Sequence, residues 1–171
     1  GIVKEHGGDI GVESVENEGS TFRILLPLDT TSQLNRADAE PDVTRGGNEK
    51  ILFVDDEQLL VDLGMDILTD LGYVVYAFSD SELALQAFKA EPQSFDLLIT
   101  DLTMPHMTGT QLAAKVGEVR PDLPIVMCTG YSDEAQDHME TDGQSHQLVR
   151  KPLNRRTLSA AVHRALTAGG R

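Results

Sequence analysis

The apolar residues of this 171-residue chain fall into two patterns with a polar stretch between them. Gly1 to His6 reads as the tail of a helix that Gly7-Gly8 ends. Ile10 and Val12 fall on one face of a short strand. Glu16-Asn17-Glu18-Gly19 makes a turn, and Phe22, Ile24 and Leu26 share a face of a second strand closed by Pro27. Residues 1–28 are thus a β-hairpin with a helical stub, and a lone hairpin is marginal in water. Residues 29–49 keep neither period and read as a linker, spanning on the order of 25 Å r.m.s. if flexible.

From Lys50 the pattern changes. Ile51-Leu52-Phe53-Val54 is an apolar run ending in two acids, and Leu60, Leu63, Ile67 and Leu71 follow at helical spacing up to Gly72. Tyr73 to Ala77 reads as a second strand. Ser79 or Asp80 caps a helix with Leu83, Ala84, Ala87 and Phe88 on one face. Leu97-Leu98-Ile99 makes a third strand, ending near Asp101, and Pro105 prevents its continuation. Leu112, Val116 and Val119 mark a third helix, and Pro124 to Cys128 is a fourth strand ending at Thr129. Asp133 to Met139 predicts a polar fourth helix, Gln147 to Val149 a fifth strand, and Leu158, Ala161, Val162, Ala165 and Leu166 a fifth helix. Five strands alternating with five helices over residues 50–168 predict an α/β domain with a parallel sheet covered on both faces.

Composition narrows the partners. Apolar content is 40%, enough for a core, and 28 acidic residues against 14 basic give a net charge of −14. That argues against nucleic acid or an anionic membrane as the main partner. A single Cys128 excludes an internal disulfide and a cysteine zinc site and fits a reducing compartment, so a cytoplasmic location is expected. No apolar run approaches the roughly 20 residues of a membrane span. The chain opens at Gly1 in mid-pattern and reads as an excised fragment, whose parent could be membrane-anchored upstream.

Ligands of open parallel sheets sit beyond the carboxyl ends of the strands. Asp55 and Asp56, Asp101, Thr129 and Lys151 all fall there. Three carboxylates in one cleft repel unless a cation offsets them, and an all-oxygen donor set suits Mg²⁺. Asp101 then remains as a nucleophile, with Lys151 and Thr129 as donors suited to phosphoryl oxygens.

Four motifs carry a resemblance: Val54-Asp55-Asp56-Glu57, Asp101-Leu102-Thr103-Met104-Pro105 with Gly109 beyond, Cys128-Thr129-Gly130, and Lys151-Pro152. In this order and spacing, residues 50–168 resemble a response-regulator receiver domain. The resemblance implies a flavodoxin-like, doubly wound five-stranded parallel sheet of order 2-1-3-4-5. It implies that Asp101 accepts the phosphoryl group. It also implies that Asp56, Asp101 and the Thr103 carbonyl hold Mg²⁺, with Asp55 acting through water. Thr129 would sense the phosphoryl group, Lys151 would bond to it, and a face of helix four, strand five and helix five would switch. The donor would be the histidine-phosphotransfer or dimerisation domain of a histidine kinase, and a homodimer through the switching face is allowed. Gly1 to Gly8, with Glu18-Gly19-Ser20-Thr21-Phe22, resembles the end of the ATP-binding domain of sensor histidine kinases. Thr21 matches a threonine near the family's adenine pocket, but the nucleotide-binding boxes are not in this chain. The order implies a hybrid kinase ending in a receiver that catalyses its own phosphorylation and dephosphorylation.

Two positions depart from the usual pattern or add to it. Leu148 stands three residues before Lys151, where the family often has an aromatic switch residue, and Tyr131 would crowd water attacking a phosphoaspartate. Two alternatives stay open. One is a haloacid-dehalogenase-like aspartyl phosphatase with Asp55 as nucleophile, although Glu57 stands where a second Asp is needed. The other is a degenerate binding module that takes no phosphate.

Overall fold

The computed structural model describes residues 2–16, 19–27, 47–130, 138–141 and 144–168. The chain divides into two units, 1–41 and 42–171. In the first, helix α1 (Ile2–Glu5) precedes strands β1 (Asp9–Val15) and β2 (Gly19–Leu25), which pair antiparallel as the alternation predicts. Ile10 lies opposite Ile24 and Val12 opposite Phe22, so one face of the hairpin is apolar, and these side chains are exposed.

The second unit contains β3 (Lys50–Val54), α2 (Gln58–Asp70), β4 (Val74–Phe78), α3 (Ser81–Ala90), β5 (Leu97–Asp101) and α4 (Gly109–Gly117). It continues with β6 (Ile125–Thr129), β7 (His138–Thr141), β8 (Gln144–Arg150) and α5 (Arg155–Ala168). The sheet order is β4-β3-β5-β6-β8-β7. The first five are parallel, in the expected 2-1-3-4-5 order of a flavodoxin-like sheet, and β7 adds an antiparallel edge on β8.

Residues alternate between two cores, as the pleat requires. Ile51, Phe53, Leu97, Ile99, Val126 and Cys128 pack with α2 and α5 residues such as Leu68 and Leu158. Leu52, Val54, Leu98, Ile125 and Met127 pack with α3 and α4 residues such as Phe88 and Leu112. Burial on both sides is why the central strands read as unbroken apolar runs. Asp96 aligns the start of the sheet: its N–H donates to the Lys50 carbonyl at 2.8 Å, and its carboxylate accepts the Lys50 N–H at 2.8 Å. Asp80 caps α3 by accepting the N–H groups of Glu82 and Leu83, and Thr108 and Gln111 form a capping box on α4.

Three sequence expectations need correction. The expected polar helix over Asp133 to Met139 does not reach its end: His138–Thr141 is strand, paired to β8 with Met139 opposite His146, while 133–137 lie outside the described residues. Helical spacing also misplaced one residue in each of two helices, while Ile67, Leu71, Ala84 and Phe88 do face the core. α2 buries Val61, Gly64 and Leu68 and exposes Leu63, because a bare Gly64 lets the helix settle on the ring of Phe53. α3 buries Leu85 rather than Leu83, and Val119 lies past the end of α4, exposed.

Candidate functional site

The chain steps from β3 out to β4 on one side and then crosses back over β3 to β5 on the other, so the sheet's switch point lies between β3 and β5. Asp55 follows β3 and Asp101 ends β5. Thr129 ends β6 next in line, pairing with Arg150, and its carbonyl accepts the Lys151 N–H at 2.8 Å. The register therefore delivers the predicted residues to one rim.

The side chains form a compact charge cluster. Lys151 Nζ stands 2.6 Å from Asp101 Oδ1 and 2.7 Å from Asp55 Oδ2. Both carboxylates are buried. Asp101 Oδ2 accepts the Thr103 N–H at 2.7 Å, and Asp55 Oδ1 accepts the Glu57 N–H at 3.0 Å. Asp55 Oδ2 meets the ammonium as an ion pair and has no further hydrogen-bond partner among the described residues. Asp56 is exposed, and Thr129 is half-buried. Tyr131 lies outside the described residues.

Burial alone would lower the Lys151 ammonium. The carboxylates of Asp101 and Asp55 outweigh it and hold the group above the ordinary lysine range. Asp55 goes the other way from most paired acids. Burial raises its carboxyl, Asp101 adds to this, and Lys151 with the Glu57 N–H only partly offsets it. Burial also pushes the Cys128 thiol up to about 12, with Asp101 adding to the rise, so Cys128 behaves as a small core residue.

Both shifts are upward, so both groups make the fold less stable as pH rises, each in its own window. Lys151 stabilises the fold fully below its ordinary value of 10.5, and that contribution fades as pH rises through its higher folded value. Asp55 holds its proton more tightly folded than unfolded, so its ionisation costs stability as pH climbs above 3.8. Asp55→Asn is expected to remove that loss, so that in EDTA its stability falls less than the wild type's as pH climbs above 3.8. Urea unfolding across this range tests it. A variant whose stability falls as steeply as the wild type's would mean that the Lys151 pair offsets the cost of burial.

Among the described residues no three His, Cys, Asp or Glu side chains form a ready-made metal cluster. The donor chemistry nevertheless fits a hard cation. Asp55, Asp56, Asp101 and the Thr103 carbonyl offer only oxygen, and Asp55 Oδ2 is a buried acceptor lacking a further hydrogen bond among the described residues. Sequence reasoning named Asp55, Asp101 and Lys151, which the structure brings together. It missed that Lys151 bridges Asp55 and Asp101, and that Gly109 lies against the Asp101 backbone. The only sequence signal for the latter was the glycine at its motif spacing.

A model of the response regulator receiver domain matches residues 51–163. The sensor kinase CckA of Brucella abortus is 26% identical over 97% of this chain, which spans 18% of that protein's length. The response regulator receiver protein CpdR of the same organism is 30% identical over 70% of this chain and 98% of its own length. In the crystal structure of histidine kinase ThkA in complex with response regulator protein TrrA, the matching chain superposes with a TM-score of 0.59 and 29% identity. That match covers 69% of this chain and 98% of the other.

Proposed function

Because this chain belongs to the response regulator receiver family, a two-component signalling family that typically uses Mg²⁺, we propose that it accepts a phosphoryl group on Asp101. The observation that carries the reading is the buried Asp101 carboxylate at the end of β5, with one oxygen on the Thr103 N–H and the other on the Lys151 ammonium.

The donor is a phosphohistidine on a histidine-phosphotransfer or dimerisation domain. A carboxylate oxygen of Asp101 bonds to phosphorus as the histidine nitrogen leaves, giving an acyl phosphate that water later cleaves. Lys151 turns from the carboxylate to a phosphoryl oxygen, and the Thr129 hydroxyl donates to another. When bound, Mg²⁺ would offset charge on the phosphoryl oxygens, held by Asp56, Asp101 and the Thr103 carbonyl, with Asp55 acting through water. Drawing Thr129 inward shifts the end of β6 and with it β8 and α5. Leu148 is half-buried against the core and supplies no aromatic switch, so the backbone carries the change.

Mass spectrometry after incubation with acetyl phosphate and Mg²⁺ tests the reading. One added phosphoryl group is expected, and none would end it. The hairpin of residues 1–28 belongs, in the same proposal, to the end of a sensor-kinase ATP-binding domain. The CckA match over 97% of the chain and the hairpin's exposed apolar face support this.

Receiver domains interact with histidine kinases, as in the ThkA–TrrA complex. Here α2 starts beside Asp55–Glu57 and exposes Leu59 (82%) and, one turn on, Leu63 (41%). These are fitted to an apolar helix of the donor. Leu59→Glu is expected to slow transfer from a phosphohistidine protein about tenfold while sparing acetyl phosphate. Equal slowing with both donors would show that the variant damages the site rather than docking.

A further inference from the structure

The two edges of the sheet are treated differently. β8 is covered by β7 of the same chain, whereas β4 pairs only with β3 among the described residues. The β4 edge lacks the usual guards of lysine, proline or a bulge. Tyr73-Val74-Val75-Tyr76-Ala77-Phe78 is uncharged and rich in strand-forming residues, in a chain of net charge −14. Val74 and Tyr76 are 39% and 42% exposed.

The hydrogen bonding of this edge follows from its inner side. Val74 N–H donates to the Glu49 carbonyl, and the Phe78 carbonyl accepts the Asp55 N–H. By strand alternation, Tyr76 also faces β3, and Val75 and Ala77 turn their N–H and C=O groups outward. A second copy laid antiparallel with its two-fold axis at Tyr76 puts Val75 opposite Ala77 in both halves. Both pairs are then of the hydrogen-bonded type, so all four outward groups on each copy find partners. The same register sets Tyr76 beside its own counterpart and Val74 beside Phe78, covering the exposed apolar stripe. Asp80 meets Gly72, so no like charges face each other across the strands.

We propose that β4 is a homodimer edge, joining two copies into one continuous sheet. The contact is isologous and closes on itself, since each copy has one such edge. It lies on the opposite edge from β8 and needs neither phosphate nor metal, so it stands or falls apart from the phosphoryl-transfer reading.

The test is sedimentation equilibrium of the full 171-residue chain in EDTA over a concentration series. The expected mass climbs towards twice the monomer and stops there. Val75→Pro deletes one outward N–H without touching the β3 ladder and should keep the chain monomeric. Val74→Lys adds a guard charge on an exposed side chain and should weaken association about tenfold. Circular dichroism and acetyl phosphate uptake should be unchanged in Val74→Lys. A wild-type chain that stays monomeric overturns the proposal. So does growth beyond a dimer, or a dimer that Val74→Lys leaves intact.

Discussion

Asp101→Asn is expected to take up phosphoryl groups from acetyl phosphate and Mg²⁺ at least about a hundredfold more slowly than the wild type, since the amide oxygen is no nucleophile. The substitution keeps the shape of the site. An asparagine oxygen can still accept the Thr103 N–H, now 2.7 Å from Oδ2, and Lys151 keeps its ion pair with Asp55. Removing one of two neighbouring carboxylates also relieves their repulsion. The fold should therefore survive, with a melting midpoint close to wild type, and the loss can be assigned to chemistry. Intact mass is the readout. Full phosphorylation of the variant would place the acceptor elsewhere, with Asp56 the first residue to examine.

Gly109→Ala is expected to cost about 3 kcal/mol of stability and to slow phosphorylation at the same time. A Cβ at this position would lie 2.0 Å from the Asp101 carbonyl oxygen and 3.0 Å from its carbon. The obstacle is backbone, so no rotamer change relieves it. Either the end of β5 or the start of α4 must move, and the first carries the nucleophile while the second is held by the Thr108–Gln111 capping box. Gly130→Ala is the control, because a Cβ there meets nothing within 4 Å among the described residues. Chemical denaturation of both variants, with phosphorylation rates, checks the pair. A Gly109→Ala protein as stable and as fast as wild type would mean that the contact relaxes without cost.

Much of this was legible in the chain. Ile51–Val54, Leu97–Ile99 and Ile125–Cys128 read as strands because a strand buried on both faces needs apolar residues at every position. Asp55, Asp101, Thr129 and Lys151 stood out because each ends such a run. The helices were found, but Leu63 and Leu83 were wrongly placed on their inner faces; apolar spacing cannot anticipate, for α2, a glycine seated on Phe53. The strand at His138–Thr141 was illegible for another reason. Its residues show no two-residue apolar period, and its conformation comes from pairing with β8.

What the amino-acid sequence determined by itself was the parallel α/β sheet and the set of oxygen and ammonium groups at its rim. Both depend on local pattern: where apolar runs begin, and which residue ends each. Tertiary structure alone decided how those groups meet. The parallel register sets Asp101 level with Cys128 and Thr129 level with Arg150, which brings Lys151 between two acids that are 46 residues apart in the chain. Burial then makes one of those acids harder to ionise while the ammonium they share is held charged, a division of roles that follows from the shared low-dielectric site and not from either residue's identity.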